Sequence, residues 1–422
     1  MVNNINGQPG AVFFHKVQIL KQSNNTALDI ISQVDTCIIY EDLFSPYISG
    51  ELKIRDTLDL PNQIGAFGPD LLRLKINNPG DTIGIDGLFF IYKLADRKLV
   101  KDRTQTYTLY FTAIEVLADI NSHISRRYNG TCASIITKIL KEHLDTPKTF
   151  TVDEEGSNLS YVSNFWTPSR NFNYITEVGY TRDNQGTLMF YENRDGFNFY
   201  DIRTLLGEKN KTIQNFVGSD YSGIVGETDT LNRSKVTKDM KLEYANILGI
   251  RADLTYDIMK DYFDGAITTK LYSNDPVTKQ IRWGTFNATD MATILNKNRM
   301  YPDGLSKLFK PIISDMNRVY GSYGLKEGSN YSRVQYRTAI MRTLQSSQVH
   351  IDVHGRLEYT VGRKVNLNLN QIRDITMSED NADIVDKIYS ANYLITAVVH
   401  TIARDGHRTT LELSKESSLQ NG

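Results

Sequence analysis

Cysteine is scarce. The 422 residues contain two, Cys37 and Cys132, far apart in the chain. A disulfide between them stays open, but a stapled framework is excluded, and two thiols in so large a chain suit a reducing compartment. Excess charge is missing as well. Lys and Arg number 48 against 49 Asp and Glu, a formal net charge of -1, so no global field draws the protein to nucleic acid or an acidic membrane. No apolar run is long enough to cross a bilayer: the longest, YLITAVVHTIA at 393–403, is interrupted by His400. The opening MVNNINGQPG is polar, with neither a basic start nor an apolar segment. It is not a secretory signal, so synthesis and folding in a cytoplasm are expected. Familiar catalytic signatures are missing too: G-x-S-x-G, H-E-x-x-H, the P-loop and C-x-x-C do not occur.

What is present is the composition of a folded protein. Hydrophobic residues make up 40% and charged residues 23%, which argues against wholesale disorder. The length predicts two to four domains. Tyr (24) and Phe (17) are plentiful, and such aromatics favour strands.

Residues 11–118 read as strands almost throughout. FFHKVQIL, TCIIYED, SGELKIRD, DLLRLKIN, LFFIYKL and TYTLYFTAIEVL are separated by corners rich in Asn, Gly, Pro and Asp. Turn signals about eight to twelve residues apart predict a closed barrel or sandwich. In SGELKIRD, Leu52 and Ile54 alternate with Lys53 and Arg55, giving one apolar and one charged face.

The character changes near 119. Thr131 is a plausible N-cap for a helix carrying Ile135, Ile136, Ile139, Leu140 and Leu144 on one face. Phe172, Ile175 and Val178 follow Pro168 at helical spacing. Next, LMFYE and FNFYDI flank NRDG, a hairpin whose Asp195-Gly196 pair suits a tight turn. Residues 119–228 are thus expected to form a mixed α+β domain. Residues 229–282 read as strands shared between that domain and a second barrel, and 283–345 as a helical or irregular insertion. Within the insertion Tyr336, Ile340 and Leu344, with Val334 and Met341 nearby, predict an amphipathic helix. Residues 346–422 complete the second barrel.

The first and last sections share a design. LLRLKIN, LFFIYKLADRKL and TYTLYFTAIE correspond in order to KVNLNLN, YLITAVVHTIA and HRTTLELSKE. Each series is a short alternating strand, a longer apolar strand, and a strand in which Thr alternates with Leu or aromatics. The expected fold class is mainly β with α+β insertions: two similar antiparallel barrels and a mixed domain.

Chemistry-bearing clusters are weak. His350 and His354 are four apart, but VHIDVHG alternates as a strand with no third ligand near, so surface or interface histidines are the better reading. Glu192 and Asp195 could serve as a carboxylate pair, yet Asp195 sits where a turn wants Asp before Gly. Asp29, Asp35, Glu41 and Asp42 lack the spacing of a calcium loop. Lys93, Arg97, Lys98, Lys101 and Arg103 are diluted by Asp96 and Asp102 and read as a solvated hairpin end.

Three stretches carry a family resemblance: IIYEDLFSPYISGELKIRD; NFWTPSRNFNYITEVGY with FYENRDGFNFYDI; and QYRTAIMRTLQSSQVHIDVHGRLEYTVGRKVNLNL. With them the chain resembles the central hub proteins of contractile-tailed, T-even-like phage baseplates. More distantly it resembles the hub portion of type VI secretion spike proteins. The resemblance implies a structural virion protein of the phage tail, assembled in the host cytoplasm, with no catalytic residues, cofactor or metal. It implies a homotrimer whose paired barrels adapt a trimeric spike or needle to the tail tube, tube-initiator and tape-measure proteins. Genome DNA would touch it only in transit through the channel. Leu52 and Ile54 are then expected to point into the barrel. Glu41 and Asp42 are expected at a barrel end or edge, where charge discourages stray strand pairing. The candidate interface residues are Glu41, Asp42, Lys53, Arg55, Lys101 and Arg103. The alternatives from other classes are a tail-associated hydrolase of cell wall or capsule, and a glycan-binding tail protein.

Overall fold

The structure is a computed structural model. It describes residues 10–21, 26–64, 70–79, 84–101, 103–181, 186–207, 209–218, 244–254, 258–263, 267–275, 279–287, 312–315, 330–346, 348–369, 386 and 388–415.

Alternation in the opening section produces seven strands: β1 (Phe13–Lys21), β2 (Thr26–Asp29), β3 (Val34–Asp42), β4 (Ser49–Asp56), β5 (Leu71–Asn77), β6 (Gly84–Lys101) and β7 (Thr104–Ala113). They hydrogen-bond in the order β2-β1-β5-β6-β7-β4-β3, and a 3-10 turn, Ile31–Gln33, returns the chain from β2 to β3. Leu52, Ile54, Leu74, Leu109 and Phe111 fill the interior, as period-two patterning requires. A five-residue helix, α1 (Leu60–Ile64), follows β4. The tail of TYTLYFTAIEVL departs from expectation. It leaves the strand at Ala113 and enters helix α2 (Glu115–Asn121), with Glu115 in the first turn.

The mixed region contains β8 (Ile124–Thr131), α3 (Cys132–Ile139), β9 (Phe150–Val152), β10 (Asn158–Trp166), α4 (Pro168–Val178), β11 (Leu188–Asn193), β12 (Gly196–Asp201) and α5 (Ile202–Leu206). Thr131 caps α3, accepting from the Ser134 N–H at 3.3 Å. Leu140–Leu144 continue that helix as one π-helical turn. Thr167 caps α4, with Pro168 at its start, where a missing N–H costs nothing. Gly196 has φ +121, so the β11–β12 turn uses the backbone freedom of glycine. Every residue of β11 is buried. Leu188 and Phe190 face the core of the mixed region, while Met189 and Tyr191 face another. Two-sided burial explains why LMFYE does not alternate in polarity.

That other core belongs to the second barrel. Its strands are β13 (Thr212–Val217), β14 (Ile247–Leu254), β18 (Gln348–His354), β19 (Lys364–Asn368), β20 (Ala391–Ala403) and β21 (Gly406–Lys415). They run β14-β18-β21-β20, with β19 joining β20 to β13. A bridge between Val217 and Asn246 closes the circuit. Strands β15 (Thr268–Asp275), β16 (Gln280–Asn287) and β17 (Ile312–Asp315) form a separate small sheet, and helix α6 (Ile258–Phe263) precedes it. Positions 283–287 and 312–315, read as part of a helical or irregular insertion, are therefore strand. Helix α7 (Asn330–Ser346) buries Ile340 and Leu344 and packs Tyr336 and Met341 against the second barrel core. The Val334 side chain lies outside the described residues.

The two barrels repeat each other in detail. β5-β6-β7-β4-β3 and β19-β20-β21-β18-β14 share one neighbour order. The bulge in β6 between Ile91 and Lys93 recurs in β20 between Ile395 and Ala397. The bulge in β3 between Val34 and Thr36 recurs in β14 between Ile247 and Gly249. Leu52 thereby corresponds to Ile351, and Leu109 to Leu411, all fully buried. One strand breaks the repeat: β1 runs antiparallel to β5, whereas β13 runs parallel to β19. The barrels join inside one 13-stranded sheet, because β3 pairs antiparallel with β20, Thr36–Asp42 against Ala397–Ala403.

Candidate functional site

The β3–β20 joint overturns one sequence expectation. Glu41 is not at a solvated edge; it is 1% exposed. One carboxylate oxygen accepts from the Thr360 hydroxyl and from the Val361 N–H at 3.2 Å. The other has no hydrogen-bond partner among the described residues. Burial pushes Glu41 up to about 6, against the lowering effect of those two donors. The edge that seemed to need a charge is covered by β20. Asp42 is exposed and accepts from the Phe44 N–H at 2.8 Å, shaping the corner before Ser45-Pro46.

Lys53 and Arg55 do face outward. Lys53 lies 3.8 Å from Glu51, and Arg55 lies 3.7 Å from Asp35. Arg404, at the end of the β20–β21 hairpin, also reaches Asp35 at 3.5 Å, so this acid links both barrels. Such half-exposed pairs are worth about 0–1 kcal/mol each; they orient the face more than they stabilise it. Arg103 is exposed in the β6–β7 turn with φ +126. The Lys101 side chain is outside the described residues.

A cavity of about 900 Å³ opens between the first barrel and the mixed region, lined in part by Glu41, Glu115, Lys148, Glu192, Arg194 and Asp195. Part of its lining is an ionic trio. The Lys148 ammonium sits 2.6 Å from Glu115 and 2.5 Å from Glu192. Thr146 donates to the second oxygen of Glu115 at 2.6 Å, and the Ile48 N–H to that of Glu192 at 2.9 Å. Burial pushes Glu192 up to about 7; Lys148 opposes this and the Glu115 charge adds to it. Burial pulls Lys148 down, but the two carboxylates outweigh it and hold it above the usual lysine value. One ammonium cannot neutralise two buried carboxylates, which is why the Glu192 carboxyl stays above the ordinary glutamate range despite its lysine partner.

The trio joins α2, the loop after α3, β11 and the start of β4. All four carboxylate oxygens accept from protein donors. That is the geometry of a structural tie. Asp195, the sequence partner proposed for Glu192, lies in the turn with Arg194 3.2 Å away. Glu115 and Lys148 escaped sequence reading because neither stands near Glu192 in the chain. Among the described residues no group of three His, Cys, Asp or Glu side chains is placed to hold a metal. His350 and His354 lie on the solvent face of β18, opposite Val349, Ile351 and Val353. The buried histidines are others: His400 and His407 share a hydrogen bond at 3.1 Å. Burial pushes His400 down to about 3 and His407 well below its ordinary value. Both are neutral core residues. Their one sequence signal was the histidine interrupting 393–403.

No protein-family model matches the chain, and no curated protein matches its sequence. Solved structures do resemble it. A tail protein from Neisseria meningitidis MC58 superposes with a TM-score of 0.55 at 11% identity, over 96% of this chain and 97% of that one. The 43 kDa tail protein of prophage MuSo2 from Shewanella oneidensis gives 0.54 at 8% identity, over 95% and 98%. Prophage tail protein gp18 from Listeria monocytogenes EGD-e gives 0.50 at 9% identity, over 94% of each. The resemblance read from the sequence is met at the level of architecture: this chain has the fold of phage tail proteins.

Proposed function

We propose that the chain is a structural hub of a contractile-tail baseplate. Three copies form a ring that seats a trimeric spike on one side and meets tail tube, tube-initiator or tape-measure proteins on the other. The observation that carries this reading is the β3–β20 joint, which sets two like barrels side by side in one sheet. A three-fold ring of such pairs presents six similar surfaces, so it adapts a three-fold partner to a six-fold one. The fold shared with tail proteins supports a place in the virion tail.

The outward face of the joined sheet suits a channel for genome ejection. Lys53 and Arg55 are balanced there by Glu51 and Asp35. A strongly basic bore would retain phosphate by counterion release; a mixed one lets DNA slide through. Catalysis is not needed, and in the cavity Lys148 already pairs with both Glu115 and Glu192. The test is the mass of the particle formed with its spike partner, by light scattering. Three chains per particle are expected; any other number overturns the ring.

One observation favours a second reading. A carboxyl held near 7, like Glu192, is what a general acid of a cell-wall or capsule hydrolase requires. Clearing of a cell-wall suspension by the pure chain, abolished in Glu192→Gln, would establish it. A glycan-binding role rests only on the aromatic content, and Phe111, Phe172, Phe197, Phe199, Tyr107 and Tyr393 are buried core.

A further inference from the structure

We propose that neighbouring copies join by strand addition: β14 of one chain pairs antiparallel with the C-terminal half of β6 in the next. This repeats, between chains, the β3–β20 joint within each chain, and it rests on the ring reading above.

The bulges set the correspondence between the two barrels. They identify β6 with β20 and β14 with β3, residue by residue. β20 uses its first residues to pair with β19 and its later ones, Ala397–Ala403, to pair with β3. β6 likewise pairs with β5 only through Gly84–Phe90. The Ile91 N–H still bonds Asp70 at 3.2 Å. Beyond that point no described strand lies along this edge of β6, although β7 continues on the other. β14 stands in the mirrored situation: it is the last strand of the sheet order. Among the described residues, each chain thus has one edge of the β3 type, β14 beyond the Asn246 bridge, and one of the β20 type left over.

The side chains left bare at these edges match. Within the chain, Ile402 of β20 stands opposite Cys37 of β3 and enters the first barrel core, and Cys37 is fully buried. The residue corresponding to Cys37 is Ile250. It stands opposite the fully buried Ile351, so it faces the core, yet it is 48% exposed. No described strand of the chain supplies a cover equivalent to Ile402. Counting from the Tyr92 bulge or back from the hairpin turn places that cover between Lys98 and Val100, the spread reflecting two further bulges in β6. The apolar residues in this window, Leu99 and Val100, are 79% and 56% exposed. Leu248, at the place of Asp35, is 48% exposed as well. Exposed apolar side chains on an unpaired strand edge are a hazard that folded proteins normally blunt; here Leu99 and Val100 on one edge and Leu248 and Ile250 on the other are left bare in a single chain. Because the two edges differ, the contact is head-to-tail, which builds a ring where the rotation between copies closes and an open filament where it does not.

Cysteine cross-linking of the full chain with its spike partner tests this. Cys37 and Cys132 are buried and give little background. Leu99→Cys or Val100→Cys is combined with Leu248→Cys or Ile250→Cys. Ile38→Cys with Thr401→Cys, partners in the internal joint, shows what a correctly opposed pair yields. Leu99→Cys with Val162→Cys is the negative control. A covalent three-chain species from at least one of the edge pairs, matching the internal pair in yield, is expected. A three-chain particle in which no edge pair links overturns the strand joint and leaves the ring standing. Linked chains that do not stop at three keep the joint and overturn the three-fold ring. Particles that neither link nor contain three chains overturn both. The double substitution Leu99→Lys with Ile250→Lys, at exposed sites, should leave the circular dichroism spectrum unchanged and abolish assembly.

Discussion

The Glu41 carboxylate accepts a hydrogen bond from the hydroxyl of Thr360, 319 residues further along the chain. Glu41 is the penultimate residue of β3, the strand of the first barrel that meets the second, and Thr360 lies in the loop leading to β19. The joint between the barrels is therefore held by a buried side chain as well as by the β3–β20 ladder. A buried acid with one unpartnered oxygen is costly once ionised.

That cost sets a pH dependence. Glu41 loses its proton at about 6 in the folded chain and near 4.3 in the unfolded one. Between these values the folded state binds the extra proton, so this group makes stability fall as pH rises, by about 2 kcal/mol in all. The loss is nearly complete by about pH 7, one unit above the folded value. Glu41→Gln should remove this slope: its stability relative to wild type should rise between pH 4.5 and pH 6.5 in urea titrations. Parallel curves for the two proteins would show that Glu41 ionises freely.

Lys148→Met should leave Glu115 and Glu192 buried without their cation. A loss of about 3–5 kcal/mol is expected, as for other broken buried pairs. It should be smaller at pH 5 than at pH 8, because protonation relieves the stranded carboxylates. The triple change Glu115→Gln, Lys148→Met, Glu192→Gln should recover most of it. Equal losses at both pH values would mean that packing, not charge, was removed.

Gly50 stands opposite Phe111 across β4 and β7. A Cβ there would lie 2.3 Å from the ring and 2.5 Å from the Ile38 carbonyl oxygen. The second barrel solves the same position with Val349 opposite Leu413. Gly50→Ala should cost roughly 1–3 kcal/mol by overpacking. Gly50→Val with Phe111→Leu, which imports the pair from the second barrel, should be less destabilising than Gly50→Val alone. Additive effects in a double-mutant cycle would count against that size match.

Much of the fold was legible in the sequence because strand periodicity is local. SGELKIRD fixed which of Leu52, Lys53, Ile54 and Arg55 face inward, and the ordered match of three strands foretold the β5-β6-β7 and β19-β20-β21 meanders. The site was less legible. Glu41 in an alternating strand reads as solvated, since nothing nearby in sequence announces that β20 will cover its edge. The Glu115–Lys148–Glu192 trio is likewise assembled by tertiary packing. β11 hid its role because burial on both faces erases alternation. The bare edges of β6 and β14 became visible only when the repeat could be compared bulge by bulge.

The central claim is that two like barrels per chain build a ring with three-fold symmetry and six lobes. End-on images of the particle assembled with its spike partner test it most directly. Six similar lobes around an open bore are expected, with alternate lobe-to-lobe contacts lying within and between chains. A particle with a different number of lobes, or one in which the barrels of different chains do not touch, would contradict it.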